Sequence, residues 1–251
     1  MSARLQGRTA LVTGSTGGIG EAVARALAAE GAHVVVSGRD TARGEKVVAS
    51  IAERGGQATF VQADLADGLP AVTALAAAAH RLAGGPLDIL VNNAAMLIEP
   101  RPTAEVEEDL IDRALAVNIK AAFLLTGLVA PAMAERGSGA VINMGSINGL
   151  FGLGGSALYS TTKAAVHSLT KSWADEYGPS GVRVNTVAPG PTFTDKIAAM
   201  ADYLAPMIAA IPSRRPSTPE EVAAAVVFLA GDDAANIHGA TLSVDGGRAA
   251  V

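Results

Sequence analysis

Tyr159 and Lys163 stand four residues apart, and Ser146 lies thirteen residues before the tyrosine. On a helix, positions i and i+4 share one face, so the phenol and the ammonium can reach a common ligand. An ammonium beside a phenol favours the phenolate and lowers its pKa from the ordinary value of about 10. The spacing therefore predicts a phenol that exchanges protons near neutral pH, with the Ser146 hydroxyl holding a substrate oxygen against it. His167 continues the same helical face. No second histidine or carboxylate is spaced to complete a site with it, so a packed or interface histidine is expected and no metal site.

A second constellation lies near the start of the chain. Thr13-Gly14-Ser15-Thr16-Gly17-Gly18-Ile19-Gly20 follows a short apolar run and opens a helical stretch. Glycines let the backbone turn sharply and approach a pyrophosphate, while the helix N-terminus supplies N–H donors and partial positive charge. The glycine spacing differs from G-x-G-x-x-G, and a plain tight turn would read the same; its place after a first strand favours phosphate binding. The next apolar run ends in Ser37-Gly38-Arg39-Asp40. An acid here accepts from the ribose 2′-OH of NAD, whereas an arginine favours the 2′-phosphate of NADP. Arg39, with Arg43 one turn on, points to NADP as the preferred cofactor and leaves NAD as the alternative. Asp40 is read as the N-cap of the following helix.

These residues need a scaffold, and the chain shows one. Short β-branched runs at 9–13, 33–37, 59–62, 88–91, 140–144, 183–187 and 241–244 alternate with helical stretches near 18–30, 41–54, 69–83, 104–136, 157–177 and 219–230. Several strands are apolar throughout, as in a sheet covered on both faces. The pattern predicts an α/β fold: a Rossmann-like, doubly wound, seven-stranded parallel sheet with helices on both faces. Residues 1–251 read as a single domain with an insertion at about 191–216, a candidate substrate lid that carries four prolines. Met200, Tyr203, Leu204, Met207 and Ile208 form a helically spaced apolar stripe within it.

Composition narrows the partners. There is no cysteine, which excludes disulfides and thiolate metal sites, and the net charge is −5 with scattered basic residues. No electrostatic footprint for nucleic acid is present. The apolar run 9–13 is too short for a signal-peptide core. No stretch reads as the ~20 apolar residues of a membrane span. A cytoplasmic protein is the expectation.

Taken together, the motifs resemble those of the short-chain dehydrogenase/reductase family, including its 3-oxoacyl-ACP reductase-like members, over nearly the whole chain. Residues 13–20 resemble its T-G-x-x-x-G-x-G cofactor loop, and Asp64-Leu65 its adenine contact. Asn92-Asn93-Ala94-Ala95 resembles its N-N-A-G element, with Ala95 in place of the glycine. Asn118, Ser146, Tyr159 and Lys163 match its catalytic tetrad in order and spacing. Pro189-Gly190 with Thr194 resembles the stretch that holds the nicotinamide carboxamide, and Thr192 stands where the family usually has Ile or Val. Gly17 occupies a place that is basic in some NADP-preferring members.

The resemblance implies hydride transfer between NADP(H) and a ketone or secondary alcohol. Tyr159 would be the general acid/base and Ser146 the clamp on the substrate oxygen. Lys163 would lower the tyrosine pKa and bind the nicotinamide ribose, and Asn118 would hold a water in a proton relay. It also implies a homotetramer, or a homodimer, packed through the helices at 104–136 and 157–177. The competing reading is a catalytically silent dinucleotide-binding sensor, which would have no need of Tyr159.

Overall fold

The structure is a computed structural model that describes residues 3–194 and 201–251. Seven strands form one sheet: β1 (Thr9–Val12), β2 (His33–Gly38), β3 (Gln57–Gln62), β4 (Ile89–Asn92), β5 (Gly139–Met144), β6 (Val182–Pro189) and β7 (Thr241–Val244). Their order is β3-β2-β1-β4-β5-β6-β7, and every pairing is parallel. The chain reverses direction across the sheet between β1 and β4. That topological switch opens a crevice at the carboxyl ends of the strands.

The strand sequences explain why both faces must be covered. Ala10 and Val12 point into one core with Val34, Val36, Ile89, Val91 and Ile142. Leu11, Val35, Leu90 and Val141 point into the other. Side chains alternate across a strand, so a run that is apolar at every position requires two apolar layers. The first layer comes from α1 (Gly18–Ala29), α2 (Thr41–Ala52) and a late helix, Pro219–Ala230. The second comes from α3 (Leu69–Ala83), from α5 (Ala121–Arg136), which continues the helical stretch begun by α4 (Glu108–Leu115), and from α6 (Ala157–Tyr177).

Two features differ from the sequence expectation. The helix at 104–136 is not uniform: a π-helical turn, Ala116–Lys120, joins α4 to α5 and contains Asn118. Glu108–Arg136 is also, among the described residues, the one helix long and apolar enough by length and composition to cross a membrane. Its inner residues Leu125, Val129 and Met133 are fully buried against the sheet, while Phe123 and Leu128 are exposed. The insertion contains a further helix, α7 (Ala201–Ala210), before α8 (Pro219–Ala230). Within the apolar stripe, Met200 and the side chains of Tyr203 and Leu204 lie outside the described residues, and Met207 and Ile208 are half-buried.

Candidate active site

The loop after β1 is built almost entirely from main chain. Gly14 has φ +63°, and a Cβ there would stand 2.8 Å from Ala94 Cα. At Gly20 a Cβ would collide with the Gly14 carbonyl and the Asn93 amide. Glycine is therefore required at both positions for close approach, and at Gly14 for conformation as well. Two hydroxyls hold the loop from beneath. Thr13 Oγ1 accepts from the Asn93 and Ala94 N–H groups at 3.0 Å each. Ser15 Oγ donates to Val12 O at 2.7 Å and accepts from Ser37 N at 3.0 Å.

Gly17 precedes α1 without a side-chain cap. The first-turn N–H groups at Gly18, Ile19 and Gly20 thus carry no side-chain acceptor and suit an anionic phosphate. Thr194 faces this loop: a Cβ on Gly18 would lie 3.6 Å from its methyl. The main-chain cradle, the uncapped helix and the switch crevice together fit a dinucleotide.

Some expected cofactor contacts are committed elsewhere. The Ser15 side chain is fully buried and its polar groups are taken by β1 and β2. Asn92 points into the sheet, donating to Thr126 Oγ1 at 3.0 Å and Asn143 Oδ1 at 2.9 Å. Thr192 is buried and donates to Gly190 O at 3.0 Å. The polar groups of Ser15 and Thr192 are thus committed within the crevice wall, whereas Asn92 commits its Nδ2 and leaves its buried Oδ1 without a partner. Thr16 packs against Gly38, where a Cβ would come within 2.6 Å of it. Gly190 passes close to the Asp245 backbone, with Pro189 buried at the end of β6.

At the rim, Asp64 caps the short turn Leu65–Asp67 by accepting from Ala66 N at 3.0 Å. Asp40 caps α2 by accepting from Arg43 N at 3.0 Å and pairs with the Arg43 guanidinium at 3.2 Å. The Arg39 side chain is 78% exposed, 3.8 Å from Asp64. Ala95 carries no strain, because the one non-glycine residue with positive φ among the described residues is Arg214.

The second half of the crevice is built from side chains. β5 delivers Ser146 at its carboxyl end, and α6 presents Tyr159 and Lys163 to it on successive turns. The Tyr159 hydroxyl faces the Ser146 side chain, whose Oγ accepts from Asn148 N at 3.2 Å. Lys163 is buried, donates from Nζ to Met144 O at 2.8 Å, and lies 5.7 Å from the Tyr159 ring centroid. Asn118 is also buried. Its Oδ1 accepts from Met96 N at 2.6 Å, and its Nδ2 donates to Met96 O at 3.1 Å and Thr162 Oγ1 at 3.2 Å. The amide thus ties the loop after β4 to α6 and makes no direct bond to Lys163. The π turn around it breaks the regular ladder of helix carbonyls, an irregularity often found at functional sites.

Proton affinities in the free chain run opposite to the sequence expectation. Burial raises the Tyr159 phenol above its ordinary value, and the Ser146 hydroxyl facing it pulls it down by less. Burial likewise pushes Lys163 down to about 8. Desolvation penalises the charged form of both groups. Tyr159 is half-buried by total surface, so the shift follows the protein packed around its hydroxyl more than the openness of its ring. His167 proves to be a buried, packed histidine, and no group of metal-ligating side chains is present among the described residues.

Comparison with known proteins agrees with this geometry. A family model described as enoyl-(acyl carrier protein) reductase matches residues 14–249. The cis-4-hydroxycyclohexanecarboxylate dehydrogenase of Sinomonas cyclohexanicum is 40% identical over 245 residues, covering 97% of each chain. The chain belongs to the short-chain dehydrogenase/reductase family. The 3-oxoacyl-[acyl-carrier-protein] reductase FabG of Escherichia coli is 37% identical over 243 residues, 96% of this chain and 97% of that one. Among solved structures, a provisionally named NAD(P)-dependent gluconate 5-dehydrogenase from Beutenbergia cavernae, with NADP bound at low occupancy, superposes with a TM-score of 0.93. It is 40% identical and the match covers 100% of both chains. As a short-chain dehydrogenase/reductase, this chain is an oxidoreductase that uses a nicotinamide dinucleotide and acts on alcohol or ketone groups.

Proposed function

We propose that this short-chain dehydrogenase/reductase reduces a ketone, or oxidises the matching secondary alcohol, with NADP(H) as its preferred cofactor. The observation that supports it most is the convergence of Tyr159 and buried Lys163 on the Met144–Ser146 stretch at the mouth of the switch crevice, where Lys163 Nζ donates to Met144 O. The dinucleotide supplies or accepts the hydride when bound. Ser146 Oγ and the Tyr159 hydroxyl hold the substrate oxygen between them. A raised phenol pKa keeps Tyr159 protonated at neutral pH, the form that donates to a ketone oxygen as it gains charge. In the reverse direction Tyr159 first gives up its proton to solvent, and the resulting phenolate oxygen takes the alcohol proton. Lys163 holds positive charge beside the phenol and would bind the nicotinamide ribose. Asn118 braces the loop after β4 against α6 and would keep a water near Lys163 for proton exchange.

Two further features favour NADP over NAD. The Asp40 carboxylate is committed to capping α2 and to Arg43, so it is poorly placed to receive a ribose 2′-OH. Arg39 stands largely in solvent at the end of β2, where a 2′-phosphate would meet it. Arg39→Asp should raise the NADPH KM about tenfold while changing the NADH KM little, the size expected for a lost charge-assisted bond. Unchanged discrimination in steady-state assays would remove Arg39 from cofactor choice.

The substrate is proposed as a small free carbonyl compound and not a carrier-bound acyl chain. Arg215 is paired with Glu221 at 2.6 Å, and Arg214 is bonded to the Ala209 carbonyl, so this basic pair is engaged within the chain. The insertion 191–216 is proposed as the substrate lid. Phe123 and Leu128 are exposed on α5, and Phe123 lies 5.9 Å from the Trp173 ring of α6. That apolar face supports a homotetramer or homodimer through these helices, and light scattering at the monomer mass would overturn it.

A further inference from the structure

Three successive positions on one face of α6 address the same short stretch of chain. The Tyr159 hydroxyl faces the Ser146 side chain, and Lys163 Nζ reaches Met144 O. One turn further, His167 Nε2 stands 3.0 Å from the Ser146 carbonyl oxygen, and its Nδ1 stands 3.1 Å from Thr241 Oγ1. The imidazole thus bridges the serine to the first residue of β7 at the sheet edge.

The chain around Ser146 is shaped to admit this ring. A Cβ on Gly145 would come within 2.8 Å of His167 Nε2, and a Cβ on Gly149 within 2.7 Å of His167 Cδ2. Glycines on either side of the serine let its backbone lie directly against the imidazole. The hydrogen bonds also define the proton's place. A carbonyl oxygen only accepts, so Nε2 carries the hydrogen; in a neutral ring Nδ1 then accepts from the Thr241 hydroxyl. The surroundings favour that neutral form. Burial lowers the His167 pKa most, the Ser146 carbonyl raises it, and the Lys163 and Lys171 charges on the same helix lower it. No ion pair to His167 is present among the described residues.

We propose that His167, with its proton on Nε2, is a positioning residue that holds Ser146 in register with Tyr159 by tying the serine's carbonyl to Thr241. The role rests on the reading of Ser146 as the clamp on the substrate oxygen. Tyr159 and Ser146 belong to different elements, so their hydroxyls point at one oxygen only if the serine's backbone is held. A misplacement of about 1 Å in such a site costs up to roughly a hundredfold in rate.

The test combines a state, a rate and a position. Nitrogen-15 NMR of the wild-type imidazole at about pH 7, above the ordinary histidine pKa, should show the neutral Nε2–H tautomer; an Nδ1–H tautomer or a protonated ring overturns the proposal. His167→Leu should lower kcat by about ten- to a hundredfold with the cofactor KM within about twofold. His167→Gln, which keeps a donor on a similar reach, should recover most of that loss. Thr241→Val, which removes only the donor to Nδ1, should lower kcat about threefold. A purely structural histidine would instead lower Tm without separating kcat from KM, and glutamine would not rescue it. Should His167→Leu fail to fold, the glutamine and Thr241→Val variants carry the same kcat-against-KM comparison. If the wild-type enzyme turns over no ketone or alcohol, the functional reading fails on its own. The crystal structure of Thr241→Val or His167→Gln then still decides the positioning claim: Ser146 Oγ drawn away from Tyr159 in Thr241→Val supports it, and an unmoved serine in both overturns it.

Discussion

The loops after β1 and β5 meet at one crevice but are held in place by opposite means. The first is main chain lying against main chain, with Gly14 and Gly20 pressed against Ala94, Asn93 and each other, and hydroxyls beneath. The second is a short backbone stretch gripped by long side chains from α6. A site made of N–H groups suits a phosphate, whose charge is spread and whose recognition needs close approach. A site made of a hydroxyl, a phenol and an ammonium suits a reacting oxygen, where proton affinity must be tuned. Mutations should therefore separate the two: adding a methyl damages the first, and removing a functional group damages the second.

The largest separation should come from Tyr159→Phe. Turnover should fall by about 10²–10⁴ while the dinucleotide Kd, read by fluorescence titration, stays within about twofold. Turnover retained in this variant would end the assignment of Tyr159 as the proton donor.

Lys163 provides the next test, through pH. Its folded pKa of about 8 lies below the ordinary 10.5. Between these values the unfolded chain binds more protons than the folded one, so the Lys163 contribution to stability rises with pH across that window. Below about 8 the full penalty of the buried charge is present. Lys163→Met should be relatively stabilised at pH 8 and should lose that advantage toward pH 10, with a change of up to about 3 kcal/mol across the full window. Urea unfolding at the two pH values measures it. Parallel pH profiles for wild type and variant would mean that Lys163 keeps an ordinary proton affinity.

Gly14→Ala probes the other loop. The residue's φ of +63° and the 2.8 Å approach to Ala94 leave a methyl no room. Dinucleotide affinity should weaken roughly tenfold, the scale of a left-handed alanine plus a displaced contact. Turnover at saturating cofactor should change much less. If instead kcat collapsed with Kd unchanged, the division between the loops would not hold.

The smallest effect is a control outside both loops. Thr218 caps α8 in a reciprocal capping box with Glu221. Thr218→Ala should cost about 1 kcal/mol in thermal unfolding and leave Kd and kcat unchanged.

Much of the fold is legible in the sequence alone. The strands at 33–37 and 140–144 and the helix at 157–177 were legible because apolar runs and helical spacing survive in one dimension. Asp40 was legible as a cap because capping is local. The π turn at Asn118 left no pattern, since one extra residue in a helix has no signature of composition. The side-chain directions of Ser15, Asn92 and Thr192 were not legible, because motifs give position in the chain and not the direction of a side chain. His167 was legible as packed, but its partners Ser146 and Thr241 are distant in sequence and no spacing reveals them.

The sequence by itself determined the fold class, the family and the residue types at the crevice, because periodicity, glycine placement and four-residue spacing are encoded locally. Only the tertiary structure decided the proton affinities. The lysine four residues from Tyr159 suggested a lowered phenol, yet burial raises it and pushes Lys163 down to about 8. Desolvation depends on everything packed around a group, drawn from β5, α6 and the loop after β4, and no local spacing contains that sum.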